Sequence, residues 1–153
     1  MPQWKDLLIE IEKIEKKYGS SLRNPASYTE IKKMNHNIQR KLGNIVLPES
    51  YIEFLRRING LDFNGLVIYG VDEVLLDKEV DEDIHGFIET NELWHENDWQ
   101  KRYLFFGDSD TAWYGYDLKE SIYVELDKPS GTLIQSFESF DSMLIDALET
   151  ILL

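Results

Sequence analysis

The sequence contains no cysteine, which excludes a disulfide framework, thiol nucleophiles and zinc sites of the Cys type. It holds only three histidines, His36, His85 and His95, so imidazole-based metal or acid/base chemistry has to be sought at those positions. The opening stretch, MPQWKDLLIEIEKIEKKYG, includes no long uninterrupted apolar run. Neither a secretory signal nor a transmembrane helix is read there, and the cytoplasm is the expected location. Positive charge is scarce: 16 Lys and Arg stand against 29 Asp and Glu, a net charge of -13. With a pI near 4.6, nucleic acid and anionic membranes are poor direct partners, because both would repel the surface.

What is present is the material of one soluble domain spanning residues 1–153. A chain of 153 residues is long enough to bury roughly two thirds of its unfolded surface, and 42% hydrophobic with 12% aromatic residues argues against disorder. The negative charge is unevenly placed. The stretch from Asp72 to Asp98 holds eleven Asp and Glu against the single cation Lys78, whereas the first 42 residues carry nine Lys and Arg and five Asp and Glu. Crowded like charges oppose the compact state by self-repulsion, yet they steer a cationic partner toward the surface that carries them. Val74, Leu75, Leu76, Ile84, Phe87, Ile88, Leu93, Trp94 and Trp99 are interleaved with the acids, which predicts an ordered segment rather than a solvated tail.

Periodicity divides the chain into helices, then strands, then a helix. Trp4, Leu7, Leu8, Ile11, Ile14 and Tyr18 form one helical stripe that ends at Gly19. A second helix is expected from a cap at Ser27 or Thr29 through Ile31, Met34, Ile38 and Leu42 to Gly43, with a basic polar face. LPESYIEFLRRING, residues 47–60, places Pro48 and Glu49 in a first helical turn, Tyr51, Phe54, Leu55 and Ile58 on a buried stripe, and Asn59-Gly60 at the stop. Residues 66–70 read as a strand and 86–94 as a helix after irregular backbone. Short β-rich runs follow at 103–106, 112–116, 122–126 and 132–137, separated by the turn sequences Gly107-Asp108-Ser109-Asp110 and Lys128-Pro129-Ser130-Gly131. Residues 139–152 close the chain with an amphipathic helix capped by Ser139. The fold class is α+β: a single domain with a mostly antiparallel sheet of about five or six strands covered by helices.

The candidate chemistry is incomplete everywhere it is sought. His95-Glu96-Asn97-Asp98-Trp99 begins like a zinc-protease helix but puts Trp99 where the second histidine must stand. Asp81-Glu82-Asp83 and Asp108-Ser109-Asp110 cluster hard oxygen ligands, yet neither has the spacing of a calcium-binding loop, and the second reads as a turn whose carboxylates bond to nearby amides. With 29 acids some carboxylate pair will reach a glycosidase separation by chance. There is no phosphate-cradling glycine loop and no serine in a nucleophile elbow. No catalytic residue, metal or cofactor is expected, and the chain is not read as an enzyme. Trp4 reads as core. Of Trp113, Tyr114 and Tyr116, at least one is expected to face solvent or a partner.

The order of these pieces resembles the SUKH superfamily (SMI1/KNR4-like), which takes in bacterial immunity proteins and a fungal cell-wall regulator. The resemblance rests on the N-terminal helix, LPESYIEFLRRING, LVIYG, the Asn97-Asp98-Trp99 segment leading into YLFFGDSDTAWYGYDL, and SFDSMLIDALETIL. It implies an antitoxin that binds and blocks the toxic domain of a polymorphic secreted toxin, often a nuclease. The fungal relatives imply the alternative, a non-catalytic regulatory or scaffold protein, but the long disordered arm of those regulators is not found.

The partner-binding residues expected on this basis are Asp72, Glu73, Asp77, Glu79, Asp81, Glu82, Asp83, Glu89, Glu92, Glu96 and Asp98, with Trp94 and Trp99 as aromatic anchors inside a charged rim. The expected partner is a cognate toxin with a basic surface. A homodimer stays open.

Overall fold

The computed structural model describes residues 3–78, 80 and 84–153. Helix α1, Trp4–Lys17, buries Trp4, Leu7, Leu8 and Ile11. It ends in a Schellman turn: Gly19 takes φ +78°, its amide donates to the Lys16 carbonyl, and the Ser20 amide donates to the Glu15 carbonyl at 2.8 Å. Helix α2, Tyr28–Lys41, starts in a capping box. Ser27 Oγ accepts the Glu30 amide at 3.1 Å, and the Glu30 carboxylate accepts the Ser27 amide at 2.8 Å. Ser139 caps the closing helix α5, Phe140–Leu152, in the same way by accepting the Ser142 amide.

Helix α3, Glu49–Arg57, is shorter than its sequence block. Pro48 is the N-cap rather than a residue of the first turn, and Ile58 is extended, at φ -143° and ψ 138°. Ile58 is still buried, because the chain leaves the helix before it and turns through Asn59 to Gly60 at φ +88°. That early exit makes room for strand β1, Leu61–Phe63, which the sequence did not announce.

Strands β1, β2 (Leu66–Ile68), β3 (Tyr103–Asp108), β4 (Ala112–Asp117), β5 (Ile122–Asp127) and β6 (Leu133–Phe137) form one sheet in sequence order, every neighbour antiparallel. One face carries Phe106 and Tyr123 against Tyr51 of α3 and Phe140 of α5, with the Tyr51 and Phe106 rings edge to face at 4.9 Å. Burying each such ring contributes about 1.5–3 kcal/mol. The other face carries Phe105 and Trp113 and is covered at its centre by helix α4, Phe87–Trp94, and a 3-10 turn at Asp98–Arg102. Because the centre is covered on both sides, the adjacent Trp113 and Tyr114 are both buried. Of the three aromatics on β4 only Tyr116 keeps partial exposure, and its ring packs on Tyr123.

Candidate protein-binding surface

The acidic stretch leads out of β2 through a 3-10 turn at Glu73–Leu75 and into α4, which rests against both α2 and β3. A backbone ladder fixes the entry. The Gly70 amide donates to the His85 carbonyl at 3.0 Å, and the Phe87 amide donates to the Gly70 carbonyl at 2.8 Å. Asn59 Oδ1 accepts the Val71 amide at 2.7 Å, and a Cβ on Gly70 would collide with the Asn59 backbone.

Helix α4 has no capping side chain of its own, since its N-cap is Gly86. Asp72 supplies the cap from across the chain: its carboxylate accepts the Ile88 amide at 2.9 Å and the Glu89 amide at 2.8 Å. Asp72 is only 5% exposed, and burial, partly offset by those amide bonds, raises its carboxyl pKa above the ordinary value. This corrects its assignment to a surface patch. The negative charge there seats a helix.

The inner face of α4 is pinned by Asn91, which is fully buried. Its Nδ2 donates to the Phe87 and Phe105 carbonyls, both at 2.8 Å, and its Oδ1 accepts the Phe105 amide at 2.7 Å. The side chain thus pairs with β3 as a strand would. With that face fixed, Glu89, Glu92 and Leu93 are left exposed on one side of the helix, and Glu96 is exposed in the turn that follows it. Leu93 is 56% exposed among these carboxylates.

Two of the expected acids are already paired with the basic face of α2. Lys33 Nζ meets Asp77 at 2.9 Å and Lys41 Nζ meets Glu92 at 4.0 Å, while Glu30 accepts the Asp77 amide. The charge asymmetry along the sequence is therefore partly neutralised in space. All four partners are about half exposed, and such pairs contribute only about 0–1 kcal/mol, so incoming cations can exchange with the lysines. Glu73 is exposed, and Asp98 is exposed beside Lys101. Glu79, Asp81, Glu82 and Asp83 lie outside the described residues.

The two tryptophans separate. Trp94 is half-buried, donates its Nε1 to Tyr69 Oη at 3.0 Å and meets Trp113 edge on at 5.6 Å. Tyr69 in turn hydrogen-bonds the Asp108 carboxylate, and Lys128 Nζ sits 3.1 Å from Asp108 and over both the Trp94 and Trp113 rings. Burial, reinforced by the Asp108 charge, holds the Tyr69 phenol well above its usual pKa. Asp108 is thus committed inward, and it is Ser109 Oγ, not a carboxylate, that accepts the turn amides of Thr111 and Ala112. Trp99 is 43% exposed, and its other side rests on Trp113, Tyr103 and Gly131. Sequence reasoning missed Tyr69, Asp108 and Lys128 as a group, because only the sheet brings them together.

His95 caps the end of α4 and places its Nε2 2.7 Å from the Tyr103 carbonyl. Among the described residues no three His, Asp or Glu side chains converge to hold a metal ion, and no helix is long and apolar enough to cross a membrane.

A six-stranded antiparallel sheet with helices on both faces and an acidic helix facing outward defines an α+β domain of the kind resembled by the sequence. Residues 25–146 match the SMI1 / KNR4 family (SUKH-1), and the chain belongs to that family. The match begins after α1, so the N-terminal helix lies outside it. No curated protein matches the chain.

Proposed function

We propose that this protein is an immunity protein, binding a cognate secreted toxin and blocking it without catalysis of its own. The partner is a nuclease domain with a basic surface, met by the outward side of α4 and its flanks: Glu73, Glu89, Glu92, Leu93, Glu96, Asp98 and the exposed part of Trp99. The observation that carries this reading is the geometry of α4, whose inner face is locked by Asp72 and Asn91 while its outer stripe is acidic around one exposed leucine. Family membership supports it, since the SUKH superfamily takes in bacterial immunity proteins.

The mechanism is substitution. A nuclease needs Lys and Arg to hold phosphates, so carboxylates presented on a rigid helix compete for the same cations and exclude nucleic acid. Long-range attraction speeds capture, and desolvation of Leu93 and Trp99 slows release. Co-expression with candidate toxins, scored by rescue of growth and followed by pull-down from the same cells, tests it. Rescue by the native chain and loss of rescue with Glu89→Lys, Glu92→Lys and Glu96→Lys combined is the expected result. Full rescue by that variant contradicts the site, and the absence of any rescuing pair contradicts the function.

A further inference from the structure

The two edges of the sheet are treated differently. Strand β1 is three residues long, carries Asp62, and its Asn64 turn is tied to the end of α5 through the Ile151 carbonyl at 3.1 Å. Those are the usual protections of an edge: brevity, charge and cover. Strand β6, at the opposite edge, is five residues long, and Leu133, Ile134, Gln135 and Ser136 are all exposed. Leu133 and Ile134 are 57% and 50% exposed. From Pro129 to Phe137 not one residue is charged, in a chain that is 29% charged.

An unprotected edge offers alternate backbone amides and carbonyls as a template for another strand. We propose that the strand taken up by β6 is β6 of a second copy, paired antiparallel about a two-fold axis, so that six strands from each copy form one continuous sheet. Charge decides the occupant. A basic polypeptide finds no carboxylate on β6, whereas two chains of net charge -13 must approach along the strip where their repulsion is least. Antiparallel pairing is also self-complementary, as an isologous contact requires. The neighbouring carboxylates Glu125 and Asp146 are both engaged by Gln135 Nε2, at 2.8 and 3.2 Å. Helix α4 packs on β3, three strands away, so pairing at β6 leaves both acidic faces open.

Sedimentation equilibrium of the full chain over a range of concentrations and salt tests this independently of any toxin. The expected result is a monomer–dimer equilibrium that strengthens with added salt, because salt screens the repulsion between copies. Leu133→Lys and Ile134→Lys, both at exposed positions, should each hold the chain monomeric over the same range with an unchanged circular dichroism spectrum. Ser136→Lys serves as a third variant should either fail to fold. A monomer at every concentration and salt overturns the proposal, as does a dimer indifferent to all the lysine variants. If the native chain stays monomeric and Ile134→Lys instead abolishes growth rescue, the edge is a toxin contact and the self-pairing reading is wrong.

Discussion

Asp72 and Gly86 are fitted to each other: an ideal Cβ on Gly86 would stand 2.5 Å from the Asp72 carboxyl carbon. Only a glycine lets the carboxylate reach past the helix entry to the amides of Ile88 and Glu89. The pair therefore sets where α4 begins and how it is rotated, and the rotation decides which residues face outward.

Asp72→Ala removes the acceptor for two amides, one of them buried, and should destabilise by about 0.5–2 kcal/mol, as loss of a helix cap does. Gly86→Ala should also destabilise by displacing the same carboxylate. Urea unfolding of both variants checks this. Because the folded-state pKa of Asp72 is raised, its ionised form is relatively less favourable in the folded chain. This group's contribution declines as pH rises from the unfolded to the folded pKa and is constant above it. Asp72 should therefore not be a source of acid unfolding.

Asn91→Leu keeps the volume of the side chain while orphaning the Phe105 amide and carbonyl that Asn91 satisfies. Each buried group left unpaired costs about 1–3 kcal/mol. The variant should unfold at lower urea concentration, and amide exchange in α4 should speed up relative to β4 and β5. Uniform loss of protection across the chain would show that Asn91 does not act on α4 in particular.

Asp117 should make the fold sensitive to acid. Arg102 holds it from two nitrogens, at 2.9 and 2.7 Å, and the amides of Lys119 and Glu120 add two more bonds. These lower its carboxyl pKa, the Arg102 bond most of all. A depressed folded-state pKa stabilises fully above the unfolded carboxyl value and is lost as pH falls through the folded one. Asp117→Asn should lower the Tm most at neutral pH, and the gap from the native chain should close as the pH drops below the ordinary carboxyl range.

Helices and β3 to β6 were legible because their signals are local. The cap at Ser27, the stop at Gly19 and the stripe through Phe140, Met143, Leu144, Ala147 and Leu148 are each set by neighbours in the chain. Strand β1 escaped because three residues cannot show a period, and its partner strand decides its existence. Which of Trp113, Tyr114 and Tyr116 is exposed could not be read, because alternation fails where a sheet is covered on both faces. In the candidate surface the concentration of acidic residues was readable, but their orientation was not. Nothing local separates Asp72, which caps a helix 16 positions on, from Glu73, which is exposed. Likewise the approach of Lys33 to Asp77 spans 44 positions.

Those lysines compete with the proposed partner. Lys33→Ala and Lys41→Ala together should leave the Tm nearly unchanged, because exposed pairs contribute little, while raising the rate of toxin association by unmasking Asp77 and Glu92. Stopped-flow mixing and a thermal melt measure the two effects separately.

The most direct test is the association rate with the toxin that the co-expression assay identifies, followed from low to high salt. An acidic recognition face predicts a rate that falls steeply as salt rises, with a shallower dependence once Glu89, Glu92 and Glu96 are changed to Lys. A rate indifferent to salt, or one that the three reversals leave untouched, would contradict it.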